Sequence, residues 1–171
     1  MKNLDQWTDA DYLRRAYRYA AEKSDDPHTQ NGSILVPAGI KSNLVVFGTN
    51  RFPPGVEKTE ERLMDKYSYM DHAETDAIYL AALRGVPTEG ATLYCPWFAC
   101  CPCARAIILA GITQVVGHLD VMNMTPKRWY DEIAAGDEML DEAGVDRRYY
   151  EGQLFDDTSF RVLFNGDVWT P

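Results

Sequence analysis

Two short motifs bring together the residue types of a catalytic metal site. His72, Ala73 and Glu74 are consecutive in the chain, and Cys100 and Cys103 are separated by two residues. A neutral imidazole and two thiolates supply three zinc ligands and leave the fourth tetrahedral position open, which is the catalytic arrangement. A carboxylate beside a metal-bound water can take its proton and later deliver it to a substrate. The motifs therefore predict zinc at His72, Cys100 and Cys103, with Glu74 transferring protons.

Two helix starts are expected to position these motifs. Hydrophobic periodicity predicts helices over residues 71–84 and 101–110. At a helix N-terminus the sulfurs of Cys100 and Cys103 can converge on one ion, and the helix dipole favours their thiolate forms. The helical phase turns Cys101 away from the metal, with competition between Cys101 and Cys103 as the alternative.

Neither motif is specific when taken alone. A Cys-x-x-Cys pair also suits a thioredoxin-like redox site or a structural zinc site. A redox pair would leave His72 and Glu74 without a role. A structural zinc would need a fourth protein ligand, for which His28 and His118 are available. The catalytic metal site is the interpretation that uses both motifs.

Composition and charge narrow the class of protein. The chain has 171 residues, of which 46% are hydrophobic and 25% charged, with a net charge of −9. These values are typical of a folded domain, and we expect residues 1–171 to form a single one. The acidic balance argues against a nucleic-acid polymer as partner. No membrane span or export signal is predicted, so we expect a cytoplasmic protein without a membrane partner.

Alternating helical and strand patterns predict an α/β architecture with helices on both faces of a sheet. The predicted helices cover residues 8–23, 71–84, 101–110 and 126–143, and the predicted strands cover 33–37, 43–48, 91–95 and 113–117. The first two strands predict a hairpin, and residues 49–66 predict a long loop with a charged, partly helical end. Residues 146–171 form a C-terminal extension of uncertain role, in which 160–164 could be an edge strand.

The motifs together resemble those of zinc-dependent nucleobase deaminases, and of deoxycytidylate (dCMP) deaminases in particular. The His-x-Glu and Cys-x-x-Cys signature is that of the deaminases. Further segments are similar to motifs of dCMP deaminases in the same order, at residues 24–32, 48–53, 72–78 and 92–111. The resemblance covers roughly residues 10–145. It implies a three-layer α/β/α cytidine-deaminase-like fold with a mixed sheet of about five strands.

Four residues depart from the family pattern. Ala99 replaces the usual proline, and Asp76 replaces the usual asparagine. Asn31 replaces valine, and Arg51 replaces glycine. None of these removes a predicted zinc ligand or Glu74, so we expect the zinc chemistry to be retained. Asn31 and Arg51 flank segments that are expected to line the pocket, so they bear on the choice of substrate.

The resemblance implies zinc-dependent hydrolysis of dCMP to dUMP and ammonia, with a small nucleotide as partner. It implies that the backbone N–H of Ala73 holds the pyrimidine carbonyl and that Asn50 binds the sugar. The Ser24 and His28 positions are expected to lie near the 5′-phosphate. Arg51, a cation beside the sugar-binding loop, is a further candidate for the phosphate. For His28, Asn50 and Arg51 the alternative is an ordinary loop or turn residue.

Other functions stay open at this point. The substrate of a deaminase could instead be cytosine, cytidine, guanine, a modified cytosine nucleotide or adenosine in tRNA. A zinc-stabilised binding protein without turnover is a further alternative, against which the intact Glu74 counts. Members of the family assemble into dimers or hexamers, so the resemblance implies a homo-oligomer.

Two aromatic side chains are expected at the wall of the site, and two other side chains are expected to have structural roles. Trp97 and Phe98 are expected to wall the site, since a planar base needs an apolar or stacking slot, although core packing is an alternative. Cys95 is expected to be a small buried thiol, and His118 a hydrogen-bonded histidine at the end of a strand.

Overall fold

A five-stranded sheet forms the centre of the structure, a computed structural model that describes residues 6–39, 44–156 and 159–171. The strands are β1 (Gly32–Val36), β2 (Val46–Thr49), β3 (Thr92–Tyr94), β4 (Gln114–His118) and β5 (Asp146–Tyr150). Their order across the sheet is β2-β1-β3-β4-β5. β1 is antiparallel to β2 and β3, whereas β3, β4 and β5 are parallel to one another. The mixed five-stranded sheet is the predicted one.

Helices cover both faces of this sheet. They are α1 (Asp9–Lys23), α2 (Glu60–Met64), α3 (Lys66–Tyr69), α4 (Ala73–Arg84), α5 (Cys101–Leu109), α6 (Leu119–Asn123) and α7 (Tyr130–Glu142). Successive strand residues point to opposite faces, so Leu35 and Val115 pack in the core with α4 and α5, and Ile34 and Val116 pack in the core with α1. The prediction of a three-layer α/β/α fold is therefore confirmed.

Local sequence signals set the ends of the main helices. The side chain of Thr8 accepts a hydrogen bond from the Asp11 amide, and the Asp11 carboxylate accepts one from the Thr8 amide, so a capping box begins α1. Gly85 and Gly111 follow α4 and α5 with φ angles of 66° and 71°, a left-handed conformation that favours glycine. No helix in the described part of the chain is both long and apolar enough to cross a membrane.

The C-terminal extension, residues 146–171, differs most from the sequence prediction. The extension beginning at residue 146 supplies β5, the fifth strand of the main sheet. The prediction of an edge strand at 160–164 is wrong for the main sheet, because β6 (Val162–Phe164) pairs with β7 (Asp167–Trp169) in a separate antiparallel hairpin. β5 carries charged side chains on an edge strand and shows no apolar alternation. Its pairing with β4 therefore could not be read from hydrophobic pattern.

Two other predicted boundaries shift. The predicted helix over 126–143 begins with a 3-10 turn at Lys127–Trp129, and the α-helix starts at Tyr130. The first two strands form the predicted hairpin, with Gly32 opposite Thr49. Residues 40–43, in the predicted turn and at the predicted start of the second strand, lie outside the described residues.

Candidate active site

The two motifs meet because α4 and α5 begin next to each other. His72 is the N-cap of α4, and Cys100 is the N-cap of α5. Strand β2 packs tightly against the first turn of α4, since a Cβ at Gly48 would lie 2.2 Å from the Ala73 carbonyl oxygen. The side chain of Ser33 donates to the same carbonyl at 2.6 Å. The sheet therefore holds the start of α4 in place.

His72, Cys100 and Cys103 present their ligand atoms to one another. The Nδ1 atom of His72 lies 3.3 Å from the sulfur of Cys100 and 3.5 Å from that of Cys103. All three ligand atoms lie within 4.8 Å of one another. In a tetrahedral zinc site, the usual zinc–sulfur and zinc–nitrogen lengths place sulfur and nitrogen about 3.6 Å apart. The donor set and its spacing therefore fit zinc with three protein ligands.

Glu74 lies in the first turn of α4, beside these ligands. Its side chain is buried, and only 2% of the residue is exposed. Burial raises the pKa of Glu74 to about 7, against the opposing effect of the nearby positive charge of His72. A carboxyl group that titrates near neutral pH can both accept and release a proton, which is what general acid–base catalysis requires.

The protonation of the ligand side chains reflects their proximity. Burial lowers the pKa of His72, but the hydrogen bond with Cys100 and the negative charges of Glu74 and Cys100 outweigh it and raise the pKa to about 9. A hydrogen bond with Cys103, together with His72, lowers the pKa of the Cys100 thiol well below its usual range. The cluster thus favours a thiolate, the form that binds metal.

A cleft of about 350 Å³ opens onto Glu74 and the ligand cluster. Trp97 and Phe98 line it, as predicted, and Trp129 lines it too, with its ring nearly perpendicular to that of Trp97 at a centroid distance of 6.0 Å. The other lining residues are Asn31, Asn50, His72, Cys100 and Ile133. The cleft therefore offers aromatic walls for a planar ring next to the candidate metal position.

Asn50 and Ala73, the predicted contacts for sugar and base, are bonded to each other. The Ala73 N–H donates to Asn50 Oδ1 at 3.1 Å, and Asn50 Nδ2 donates to the Thr29 carbonyl at 2.9 Å. Asn50 lines the cleft, so its side chain is held at the cleft wall in a fixed orientation. The hydroxyl of Ser24 donates to the Asn50 carbonyl at 3.1 Å. Ser24 thus contacts the loop behind Asn50.

His28 belongs to a second cavity, of about 780 Å³, rather than to the cleft. Lys66, Tyr67, Arg128 and Asn165 also line this cavity. The ring of Tyr67 contacts that of Trp129 at 5.7 Å, and Trp129 in turn lines the cleft. The second cavity therefore adjoins the cleft on the side of Trp129.

Arg51 does not reach either space. Its guanidinium lies 2.7 Å from the Asp76 carboxylate and borders a surface groove beside Pro53 and Leu83. The residues that line the cleft and the second cavity do not include Arg51. The ion pair with Asp76 favours a structural role for Arg51 over the predicted contact with a phosphate, which stays a prediction.

Sequence reasoning missed the basic side of the second cavity. Arg128 donates to Asn165 Oδ1 at 2.7 Å, and no carboxylate of the described residues lies within 4 Å of it. Lys66 differs, since it is almost buried and forms an ion pair with Asp26 at 2.7 Å. In the sequence, Arg128 is one of two consecutive basic residues after Pro126, and only the fold shows that it lines this cavity.

The C-terminal hairpin completes the wall of the second cavity. The turn between β6 and β7 holds Asn165 at a φ of 53°, and the Gly166 N–H donates to the His28 carbonyl at 2.8 Å. The Asn165 N–H donates to the Thr29 hydroxyl at 3.2 Å. The C-terminal extension therefore contributes side chains beside the cleft as well as a strand of the sheet.

The remaining candidate ligands have other partners. Cys101 donates to the Glu132 carbonyl at 3.3 Å, and Cys95 is fully buried. His118 is buried at the end of β4, where Nδ1 meets the Tyr17 hydroxyl at 2.8 Å and Nε2 meets the Gly152 carbonyl at 3.0 Å. These positions agree with the structural roles expected for Cys95 and His118.

Comparison with known proteins identifies related chains. A family model described as the cytidine and deoxycytidylate deaminase zinc-binding region matches residues 6–119. The deoxycytidylate deaminase of Homo sapiens is 30% identical over 148 residues, which are 82% of this chain and 78% of the relative. A probable deoxycytidylate deaminase of Drosophila melanogaster is 31% identical over 149 residues, which are 80% of this chain and 69% of the relative.

A solved structure has the same fold. The crystal structure of a dCMP deaminase from the cyanophage S-TIM5, in complex with dCMP and dUMP, superposes with a TM-score of 0.62. The match covers 82% of this chain and 93% of the other, at 22% sequence identity.

Proposed function

This chain belongs to the cytidine and deoxycytidylate deaminase family, and from that membership we propose that it hydrolyses dCMP to dUMP and ammonia. The two relatives described above are a deoxycytidylate deaminase and a probable deoxycytidylate deaminase, and the similarity covers most of the length of each. The cyanophage enzyme of the same fold was crystallised with dCMP and dUMP. The observation that carries the proposal is the buried Glu74 beside a zinc-compatible set of one imidazole and two thiols.

His72, Cys100 and Cys103 are the residues that would hold zinc. Zinc bound there supplies the Lewis acidity that makes a water molecule acidic enough to serve as a nucleophile near neutral pH. The three protein ligands leave one tetrahedral position open for that chemistry.

Glu74 is the proposed proton carrier. Its carboxylate accepts one proton of the attacking water and delivers it to N3 of the cytosine ring as the water oxygen bonds to C4. It then takes the second proton from the new C4 hydroxyl and passes it to the amino group, which leaves as ammonia while the C4 carbonyl forms. A pKa raised to about 7 by burial supports both directions of transfer. The aromatic walls formed by Trp97, Phe98 and Trp129 hold the ring and exclude bulk water from these steps.

The polar groups of the cleft wall are proposed to orient the nucleotide. Asn50 is assigned to the sugar and the Ala73 N–H to the pyrimidine carbonyl, and their mutual hydrogen bond is the contact that substrate would replace or share. Ser24 acts through the carbonyl of Asn50. This assignment rests on the family motifs and on the place of Asn50 in the cleft.

The second cavity is the proposed position of the 5′-phosphate. It adjoins the cleft and carries His28 and Arg128, and the Arg128 guanidinium has a neutral hydrogen-bond partner only, among the described residues. A guanidinium matches phosphate geometry and binds it by charge-assisted hydrogen bonds. In a chain with a net charge of −9, such local donors are needed to hold an anion.

Self-association and a cytoplasmic location are part of the same proposal. This part rests on the family resemblance, and Leu83 at the end of α4 (80% exposed) and Leu109 at the end of α5 (86% exposed) are apolar side chains that would be available to an interface between copies of the chain. We further propose that residues 1–171 act as a single catalytic domain, since β5 and the C-terminal hairpin pack onto the rest of the fold.

Ammonia release from a panel of nucleotides and bases tests the proposed function. dCMP, deoxycytidine, cytosine, CMP, guanine and adenosine are each incubated with zinc-loaded protein. We expect the highest kcat/KM for dCMP, with deoxycytidine at least tenfold lower, because it lacks the charge-assisted contacts of the phosphate. Faster turnover of another compound would assign the substrate to that compound. No turnover of any, with zinc bound, would favour a binding protein that has kept the fold.

A further inference from the structure

Asn31 places an unexpected amide in the wall of the cleft. It immediately precedes β1, is only 6% exposed, and lines the cleft beside Glu74. Its Nδ2 atom donates to the Trp97 carbonyl at 2.8 Å and to the Cys95 sulfur at 3.3 Å. Because a carbonyl oxygen only accepts hydrogen bonds, the contact with Trp97 determines which end of the amide is nitrogen.

The other end of this amide has a free acceptor. No described residue donates a hydrogen bond to Asn31 Oδ1. Because Oδ1 is not one of the fully buried polar atoms that lack a partner, it is accessible from outside the protein. Since the residue is otherwise buried and lines the cleft, solvent or a ligand reaches Oδ1 through the cleft. Oδ1 is therefore a hydrogen-bond acceptor that faces the cleft, where an N–H or O–H group of a ligand can replace water.

The position of Asn31 points to the metal side of the cleft. It lines the same cleft as Glu74 and the candidate ligands His72 and Cys100, and its Nδ2 atom contacts the thiol of Cys95. The reacting carbon of a substrate must lie on this side, next to the proton carrier. An acceptor there faces the substituent on that carbon.

Resting on the proposed function, we propose that Asn31 Oδ1 accepts a hydrogen bond from the C4 amino group of dCMP. That amino group carries the only N–H bonds of the cytosine ring in a nucleotide, since N3 and the C2 carbonyl are acceptors and N1 is bonded to the sugar. The product dUMP has a carbonyl oxygen at C4, which would face Oδ1 as a second acceptor. Asn31 therefore favours substrate over product and helps the product to leave.

The test compares the binding of nucleotides in a background that turns over slowly. Dissociation constants are measured by calorimetry for zinc-loaded Glu74→Gln and for Glu74→Gln/Asn31→Val, with dCMP, dUMP and 2′,3′-dideoxycytidine 5′-monophosphate as ligands. Valine has a similar size and lacks the oxygen. We expect Asn31→Val to weaken dCMP binding about three- to tenfold, the worth of one neutral hydrogen bond, and not to weaken dUMP binding. The dideoxy compound should lose the same factor as dCMP.

Three outcomes would overturn the inference. Equal weakening of dCMP and dUMP would mean that Asn31 only supports Trp97, through the bond donated by Nδ2. A loss that disappears with the dideoxy compound would assign Oδ1 to the 3′-hydroxyl of the sugar. Unchanged binding of dCMP would mean that Oδ1 makes no contact. Absence of dCMP binding to Glu74→Gln, in contrast, would count against the proposed function itself. Asn31→Ala serves as the second variant if the valine variant does not fold.

Discussion

The guanidinium of Arg51 and the carboxylate of Asp76 form an ion pair at 2.7 Å between the loop after β2 and the first turn of α4. The other carboxylate oxygen accepts a hydrogen bond from the Thr49 amide at 3.0 Å. Related deaminases usually have glycine and asparagine at these two positions, a neutral combination. Arg51 and Asp76, which both differ from the family pattern and lie 25 residues apart in sequence, therefore neutralise each other's charge in the structure. We therefore expect Arg51 to stabilise the fold beside the site rather than to contact a phosphate.

Removing Arg51 alone should destabilise the protein. Arg51→Ala leaves Asp76, which is 5% exposed, without its counter-charge. The arginine side chain is 26% exposed, so solvent screens part of the loss, and we expect about 1–3 kcal/mol in urea denaturation. The double variant Arg51→Gly/Asp76→Asn should recover most of this loss, while the preference for dCMP over deoxycytidine stays unchanged. If Arg51→Ala reduced the preference for dCMP over deoxycytidine, Arg51 would be assigned to the phosphate after all.

Arg128 should control recognition of the phosphate. In Arg128→Ala we expect kcat/KM for dCMP to fall at least tenfold and that for deoxycytidine to change less than twofold, because only the nucleotide loses a charge-assisted contact. Lys127→Ala is the matched control, since Lys127 is the neighbouring exposed cation and does not line the second cavity. Equal effects of the two variants would indicate a general loss of positive charge rather than a specific contact.

The two thiols at the start of α5 should differ from the one between them. Purified protein is expected to contain about one zinc per chain, and Cys100→Ala or Cys103→Ala should remove it, because a site with three protein ligands loses affinity with any one of them. Cys101→Ala should retain zinc, since its sulfur contacts the Glu132 carbonyl instead of His72. Mass spectrometry of the eluted metal measures this. Zinc loss from Cys101→Ala equal to that from Cys103→Ala would contradict the assignment.

Glu74→Gln should separate metal binding from turnover. The amide has the same size as the carboxyl group but cannot carry a proton between water and substrate. General acid–base groups contribute about 10²–10⁴-fold to rate, and Glu74 serves several steps, so we expect a loss at or above this range. Zinc content and the thermal transition should stay near those of the parent. Turnover within about tenfold of the parent would exclude Glu74 as the proton carrier.

His118 should make stability depend on pH. It is buried between Tyr17 and the Gly152 carbonyl, and burial lowers its pKa, against the hydrogen bond to Gly152 and the charge of Asp120. With a pKa lower in the folded than in the unfolded chain, its stabilising effect is complete above about pH 6.5, the unfolded value, and is lost as the pH falls from there towards the folded value. Urea denaturation should show stability falling from pH 7 to 5.5 less steeply in His118→Gln. Equal slopes would mean that His118 does not contribute.

The sequence by itself determined the parts whose signals are local. Helix caps such as Thr8, glycines such as Gly85, and the short β-branched runs of β1 and β4 depend on neighbouring residues, so they could be read along the chain. The spacing of the two cysteines also depends on the geometry of a single helix. The candidate zinc ligands and Glu74 were therefore predictable, and the structure brings them together as the motifs indicate.

Only the tertiary structure decided which distant side chains meet. Arg51 was a free cation in the sequence and is a partner of Asp76 in the fold, whereas Arg128 was one of two basic residues and lies beside the cleft. β5 has no hydrophobic signal because it is a charged edge strand, held by pairing with β4. Contacts across long sequence separations depend on how the layers pack, and neither periodicity nor composition contains that information.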